Sequence, residues 1–155
     1  MVTIKAGTKE DCIWEFPDEF YYHEKDHIWA KVEDNKVTFG LDAFGTWGAG
    51  GIKQMRTFPL GRTLKKNQAF GNIESGKYIG PMRAPVSGKI IEVNTDVVSN
   101  PSSVNQAPYE NWIIVIEAGN LDEDLKGLPH GKEGIEKWMK AEIDDYASKD
   151  LLKCD

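Results

Sequence analysis

Ala69-Phe70-Gly71-Asn72-Ile73-Glu74-Ser75-Gly76-Lys77-Tyr78 is the stretch on which the fold reading turns. Its first six residues alternate, with Ala69, Gly71 and Ile73 on one face and Phe70, Asn72 and Glu74 on the other, the period of an extended strand. Ser75-Gly76-Lys77-Tyr78 then breaks the alternation with a glycine suited to positive φ, which predicts a tight hairpin turn with Lys77 at its apex. Met82 to Val86 resumes an extended path, Ser87-Gly88 interrupts it, and Lys89 to Val93 reads as the next strand.

The same pattern extends in both directions. Ile28 to Val32 and Val37 to Gly40 flank the turn former Glu33-Asp34-Asn35-Lys36 and predict a hairpin. Ile52 to Thr57, Thr63-Leu64 and Trp112 to Glu117 supply further short strands. Glycine numbers 15 of 155 residues, about a tenth of the chain against a typical ~7%. Short strands at intervals of about ten residues with glycine between them predict a mostly β fold, a flattened barrel or sandwich. Asp42 to Gly51 holds four glycines, each costing about 1 kcal/mol in a helix interior, so a loop with at most one helical turn is expected there. Asn120 through Leu125, with Gly127 beyond, has the start and stop residues of a short helix. Ile135, Trp138, Met139, Ile143 and Tyr146 share one face at helical spacing, and that C-terminal helix is expected to pack on the β core. Residues 1–19 read as an irregular N-terminal extension, and 20–155 as a single domain.

Composition narrows the function. Nineteen Lys and Arg against twenty-five Asp and Glu give a net charge of −6, and the basic residues are scattered along the sequence, which argues against nucleic acid as a partner. No apolar run approaches the roughly 20 residues that cross a bilayer. Met1 to Asp11 lacks the apolar stretch of a signal peptide, so a cytoplasmic location is expected. Cys12 and Cys154 form no metal-type pair and are expected to be isolated thiols in a reducing compartment.

His23-Glu24-Lys25-Asp26-His27 satisfies H-E-x-x-H, the zinc hydrolase pattern in which two histidines share one helical turn. Here the segment leads into the Ile28 strand, where an extended chain would hold the histidines roughly 13 Å apart. The remaining histidine, His130, lies in a Pro-His-Gly turn, so no metal site and no catalytic residue is assigned. Lys77 presents a different chemistry. Nothing desolvates an apical lysine, so it is a poor catalyst by itself, yet a large enzyme can reach and modify it. Both flanking strands would then hold the attachment point while the arm moves.

Gly71-x-Ile73-Glu74-Ser75-x-Lys77, followed by Ala84-Pro85-Val86-Ser87-Gly88 with Glu92-Val93-Asn94, then Pro101, Val104-Asn105, Pro108-Tyr109 and Trp112, resembles the H protein of the glycine cleavage system. The likeness runs from about Tyr22 to Tyr146 and includes His27, Trp29, Val32 and Gly40. The resemblance implies a lipoyl-carrier fold without catalysis of its own and lipoic acid covalently attached to Lys77. Glu74, Ser75, Gly76 and Gly88 would serve presentation and recognition by the lipoate-attaching enzyme. The chemistry then belongs to the cofactor, with the protein supplying position and partner contacts.

Two positions depart from the family. It commonly has Glu where this chain has Ile28, and Asp where this chain has Pro81, so two carboxylates suited to a cationic aminomethyl cargo are absent. With Lys53, Arg56 and Arg83 expected around the arm, the charge pattern favours neutral or anionic cargo. It resembles the lipoate-binding protein of heterodisulfide-reductase-like sulfur oxidation, whose donor and acceptor enzymes would then be the partners. The alternative is a glycine cleavage H protein with that system's enzymes as partners. Tyr78 and Phe70 are candidates for lining a resting groove. A non-lipoylated interaction module and a zinc hydrolase are the more remote readings.

Overall fold

The computed structural model describes residues 1–6 and 12–152. Hairpin β1 (Val2–Lys5) and β2 (Ile13–Phe16) leads into β3 (Tyr21–His23), β4 (Ile28–Glu33), β5 (Lys36–Leu41) and helix α1 (Ala43–Ala49). Next come β6 (Ile52–Thr57), β7 (Thr63–Leu64), β8 (Ala69–Ser75), β9 (Ile79–Arg83) and β10 (Gly88–Val93). Helices α2 (Thr95–Ser99) and α3 (Ser103–Gln106), strand β11 (Ile114–Ala118), and helices α4 (Leu121–Leu125) and α5 (Gly131–Ser148) complete the chain.

The strands form a six-stranded sheet in the order β3-β4-β5-β11-β10-β7 and a three-stranded sheet in the order β6-β8-β9, with β1-β2 apart. Every described pairing is antiparallel. The two larger sheets close on one apolar core that includes Ile28, Phe39, Phe70, Met82, Ile90 and Ile116. This is the expected mostly β flattened barrel or sandwich. Its strands fall near their expected places, because alternation is imposed by burial of one sheet face.

The second core was not legible in the sequence. Trp14, Phe16, Tyr22, Trp29, Phe44, Trp138 and Met139 pack together, joining β1-β2, α1 and α5. Residues 1–19 are therefore not an irregular lead-in: their two strands bury Val2, Trp14 and Phe16 in this aromatic layer. Helix α5 is 18 residues long. It buries Ile135, Trp138 and Met139 against this aromatic layer, not against the main β core.

Asp42 to Gly51 also departs from expectation. Seven residues of it are helical, because Asp42 accepts the Gly45 N–H through Oδ1 at 2.8 Å and Gly50 ends the helix at φ 78. That cap and burial of Phe44, Thr46 and Ala49 offset the glycine cost. In β8 the alternation slips at a β-bulge between Ala69 and Gly71, which turns Phe70 into the core against Phe39 at 5.5 Å. Cys12, expected as an isolated thiol, is buried and disulfide-bonded; Cys154 lies outside the described residues.

Gly88 is needed for close approach rather than for a turn. A Cβ there would stand 2.2 Å from the Glu117 carbonyl oxygen and 2.8 Å from Ile116 Cδ1. Gly88→Ala is expected to lose about 3 kcal/mol by forcing β10 from β11, read as a drop of roughly 6–12 °C in the melting temperature. A melting temperature within 2 °C of wild type would refute this role.

Candidate functional site

The β8–β9 hairpin presents Lys77 as anticipated. Ser75 N–H donates to the Tyr78 carbonyl at 2.8 Å and closes the turn. Lys77 is exposed, and among the described residues no carboxylate forms an ion pair with its amine. Gly76 is not in the positive-φ region, correcting the expectation that its conformational freedom makes the turn. Its lack of a side chain leaves room beside Lys53, whose Nζ would lie 3.4 Å from a Cβ at this position.

Ser75 is the structural centre of the turn. It is buried, its Oγ donates to the Ala49 carbonyl at 2.5 Å, and the same oxygen accepts the Lys77 N–H at 3.3 Å. The lysine backbone is thus stapled to the end of α1. Asn105 fixes that end in turn: its Nδ2 donates to the Gly50 carbonyl at 2.8 Å and its Oδ1 accepts the Ile52 N–H at 3.0 Å. Glu74 points outward from β8 and is exposed. Glu74, Ser75, Gly76 and Lys77 lie together, whereas Gly88 sits in β10 of the other sheet.

A groove of about 360 Å³ opens beside the lysine, walled by Trp47 and Gly48 of α1, by Tyr78, by Tyr146 of α5, and by Asp150 and Leu151. Burial of the Tyr78 and Tyr146 hydroxyls raises both above the ordinary phenol range. A smaller cavity of about 100 Å³ adjoins it, sharing Gly48, Tyr78 and Tyr146 and adding Asp26, His27 and Pro81. Tyr78 therefore lines the groove, but Phe70 is fully buried and does not. Trp47, Gly48 and Tyr146 are far from Lys77 in sequence, and only the placement of α1 and α5 brings them there.

The charges anticipated around the arm are distributed differently. Arg83 is neutralised by Asp26, with its guanidinium at 3.0 Å and its N–H at 2.9 Å from that carboxylate. Arg56 lines a separate groove on the outer face of β6-β8-β9. Lys53 alone of the three lies alongside the turn. Ile28 is fully buried in the main core rather than facing the lysine.

The His23 to His27 segment is a closed turn, not an extended approach: the His27 N–H donates to the His23 carbonyl at 3.0 Å. His23 Nδ1 accepts the Asp26 N–H at 3.1 Å, so its Nε2 carries the proton and donates to Asn67 at 3.0 Å. His27 Nδ1 and Nε2 face Asp42 at 2.9 Å and Glu142 at 2.6 Å. All four ring nitrogens are engaged, and no group of three or more metal-ligating side chains is arranged to hold an ion among the described residues. No helix among them is long and apolar enough to cross a membrane.

Residues 20–142 match the sequence model of the family Glycine cleavage H-protein. The chain is 39% identical over 112 residues to the probable glycine cleavage system H protein 3 of Sulfurisphaera tokodaii, covering 72% of this chain and 82% of that one. It is 34% identical over 152 residues to glycine cleavage system H protein 2 of Aquifex aeolicus, covering 97% and 90%. The fold superposes with a TM-score of 0.70 on a glycine cleavage system H protein from Mycobacterium marinum, at 22% identity over 82% of this chain and 98% of that one. The chain therefore belongs to the glycine cleavage H-protein family, whose members are non-catalytic carriers with lipoate covalently attached to a lysine.

Proposed function

We propose that Lys77 is the lipoylated lysine and that this chain works as a glycine cleavage system H protein, moving an aminomethyl group between the enzymes of that system. The observation that carries the reading is an exposed amine on a backbone stapled by Ser75 to α1. Attachment forms an amide at Nζ, and an amine with no ion-pair partner among the described residues needs no contact broken to react. Once bound, lipoate supplies a disulfide that opens to take cargo at sulfur. The chain's own residues supply a fixed base for the arm and a groove beside it. Asp150 lines the groove beside the lysine, which suits a cargo with a cationic nitrogen.

Glu74, Ser75, Gly76 and Gly88 serve presentation to the lipoate-attaching enzyme, with Glu74 and Gly76 the exposed members open to direct contact. The partners are that enzyme and the donor and acceptor enzymes of glycine cleavage, and the carrier works with them in the cytoplasm. Pro81, which lines the smaller cavity and stands where the family resemblance implies a carboxylate, favours a second reading: sulfur cargo exchanged with a heterodisulfide-reductase-like complex. The neutralised Arg83 and the separately placed Arg56 remove much of its electrostatic support.

Intact-mass measurement separates the two. The lipoylated protein incubated with glycine and its decarboxylating enzyme is expected to gain an aminomethyl unit. Absence of that gain, with added sulfur on the arm from a thiol or persulfide donor, would establish the second reading instead.

A further inference from the structure

The turn from His23 to His27 joins three elements around the candidate attachment lysine. His27 itself is in the left-handed region at φ 58, a conformation that non-glycine residues hold only when their surroundings enforce it. Its ring stacks on Trp138 at 4.8 Å and packs on Phe44 at 4.9 Å. Nδ1 faces Asp42, the cap of α1, and Nε2 faces Glu142 of α5, a residue 115 positions away. Two carboxylates on opposite nitrogens call for a doubly protonated ring. Burial opposes that charge, but Asp42 and Glu142 outweigh it and hold the imidazole pKa up to about 9. The same turn accepts the Trp138 Nε1–H on the Glu24 carbonyl at 3.2 Å and holds Arg83 of β9 through Asp26.

These elements are the walls beside Lys77. Helix α1 contributes Trp47 and Gly48, and α5 contributes Tyr146. The buried side chains of α5 end at Met139, so its last nine residues lack a fully buried anchor. Glu142 supplies a polar one. Tyr146 follows one turn later on the same face, its ring 4.9 Å from Phe44 and its hydroxyl 3.6 Å from where a Gly48 side chain would begin.

We propose that His27 is a positioning residue for Lys77: by joining Asp42 to Glu142 it locks the C-terminal half of α5 against α1 and so sets the wall of the groove beside the lysine. This rests on Lys77 being the attachment site. The clamp acts on the groove through Tyr146. It also gives the H-E-x-x-H segment a role without metal.

The test compares wild type, His27→Gln and Glu142→Ala by NMR on the full chain, and by kinetics with the lipoate-attaching enzyme. Contacts between Gly48 and the Tyr146 ring are expected in wild type and lost in Glu142→Ala, while Phe39–Phe70 contacts in the main core persist. The KM for attachment should rise about fivefold with kcat within twofold. Should His27→Gln fail to fold, Glu142→Ala decides alone, since Glu142 lies at the rim. A retained Gly48–Tyr146 contact, or an unchanged KM, overturns the proposal. A wild-type chain that is never modified at Lys77 overturns the attachment reading instead, and the NMR comparison still decides whether the clamp holds the two helices.

Discussion

A Lys77→Ala chain is expected to carry no lipoyl group and to support no group transfer, while its melting temperature stays within about 2 °C of wild type. Complete loss follows because a carrier has a single attachment atom, and no neighbouring lysine shares its place. Lys53 lies beside Gly76, but it stands on β6 rather than at a hairpin apex. Stability should be untouched because the side chain is exposed and makes no ion pair among the described residues. The backbone hydrogen bond to Ser75 Oγ survives the substitution. Intact mass and thermal denaturation together check this. Modification persisting in the variant would move the attachment site elsewhere, and a large fall in melting temperature would contradict the exposed turn.

His27→Gln is expected to have the largest effect on stability. Asp42 is completely buried and Glu142 largely so, and removing the cation between them leaves an uncompensated buried charge, at a cost of about 3–5 kcal/mol. The pH dependence has a definite sign. The folded imidazole titrates at about 9, above the unfolded value of about 6.5, so the native state binds the proton more tightly. The contribution of the clamp is therefore fully present below about pH 6.5 and is lost as pH rises through 9. Urea denaturation of wild type and His27→Gln at pH 6, 8 and 10 should give a stability gap that narrows at each step. A gap independent of pH would mean that the ring is neutral in the native protein.

The carrier hairpin was legible because its determinants are local. The alternation of β8 and the chain reversal at Ser75-Gly76-Lys77-Tyr78 lie within ten consecutive residues. Even there the bulge that buries Phe70 escaped the pattern, since a bulge shows only when the partner strand is in place. Gly88 reads in the sequence as a break between strands, but its proximity to Glu117 comes from β11, which begins 26 residues downstream of β10's first residue. Helix α1 was read as a loop because glycine propensity is intrinsic, whereas the burial of Phe44 and Ala49 that overrides it is tertiary.

By itself, then, the sequence determined the β class, the approximate strand positions and the lysine at the hairpin apex. Each depends on residue spacing within one segment, where steric and hydrophobic preferences act between near neighbours. The tertiary structure alone decided the groove, the clamp and the charge around the lysine. Tyr146 and Trp47 meet beside Lys77, and His27 meets Glu142, only after helices and turns from distant segments share one aromatic core. Arg83 looked like a cation available to the cargo until folding set it against Asp26, 57 residues away. Long-range pairing of this kind leaves no periodic trace, because either partner alone reads as an ordinary solvated side chain.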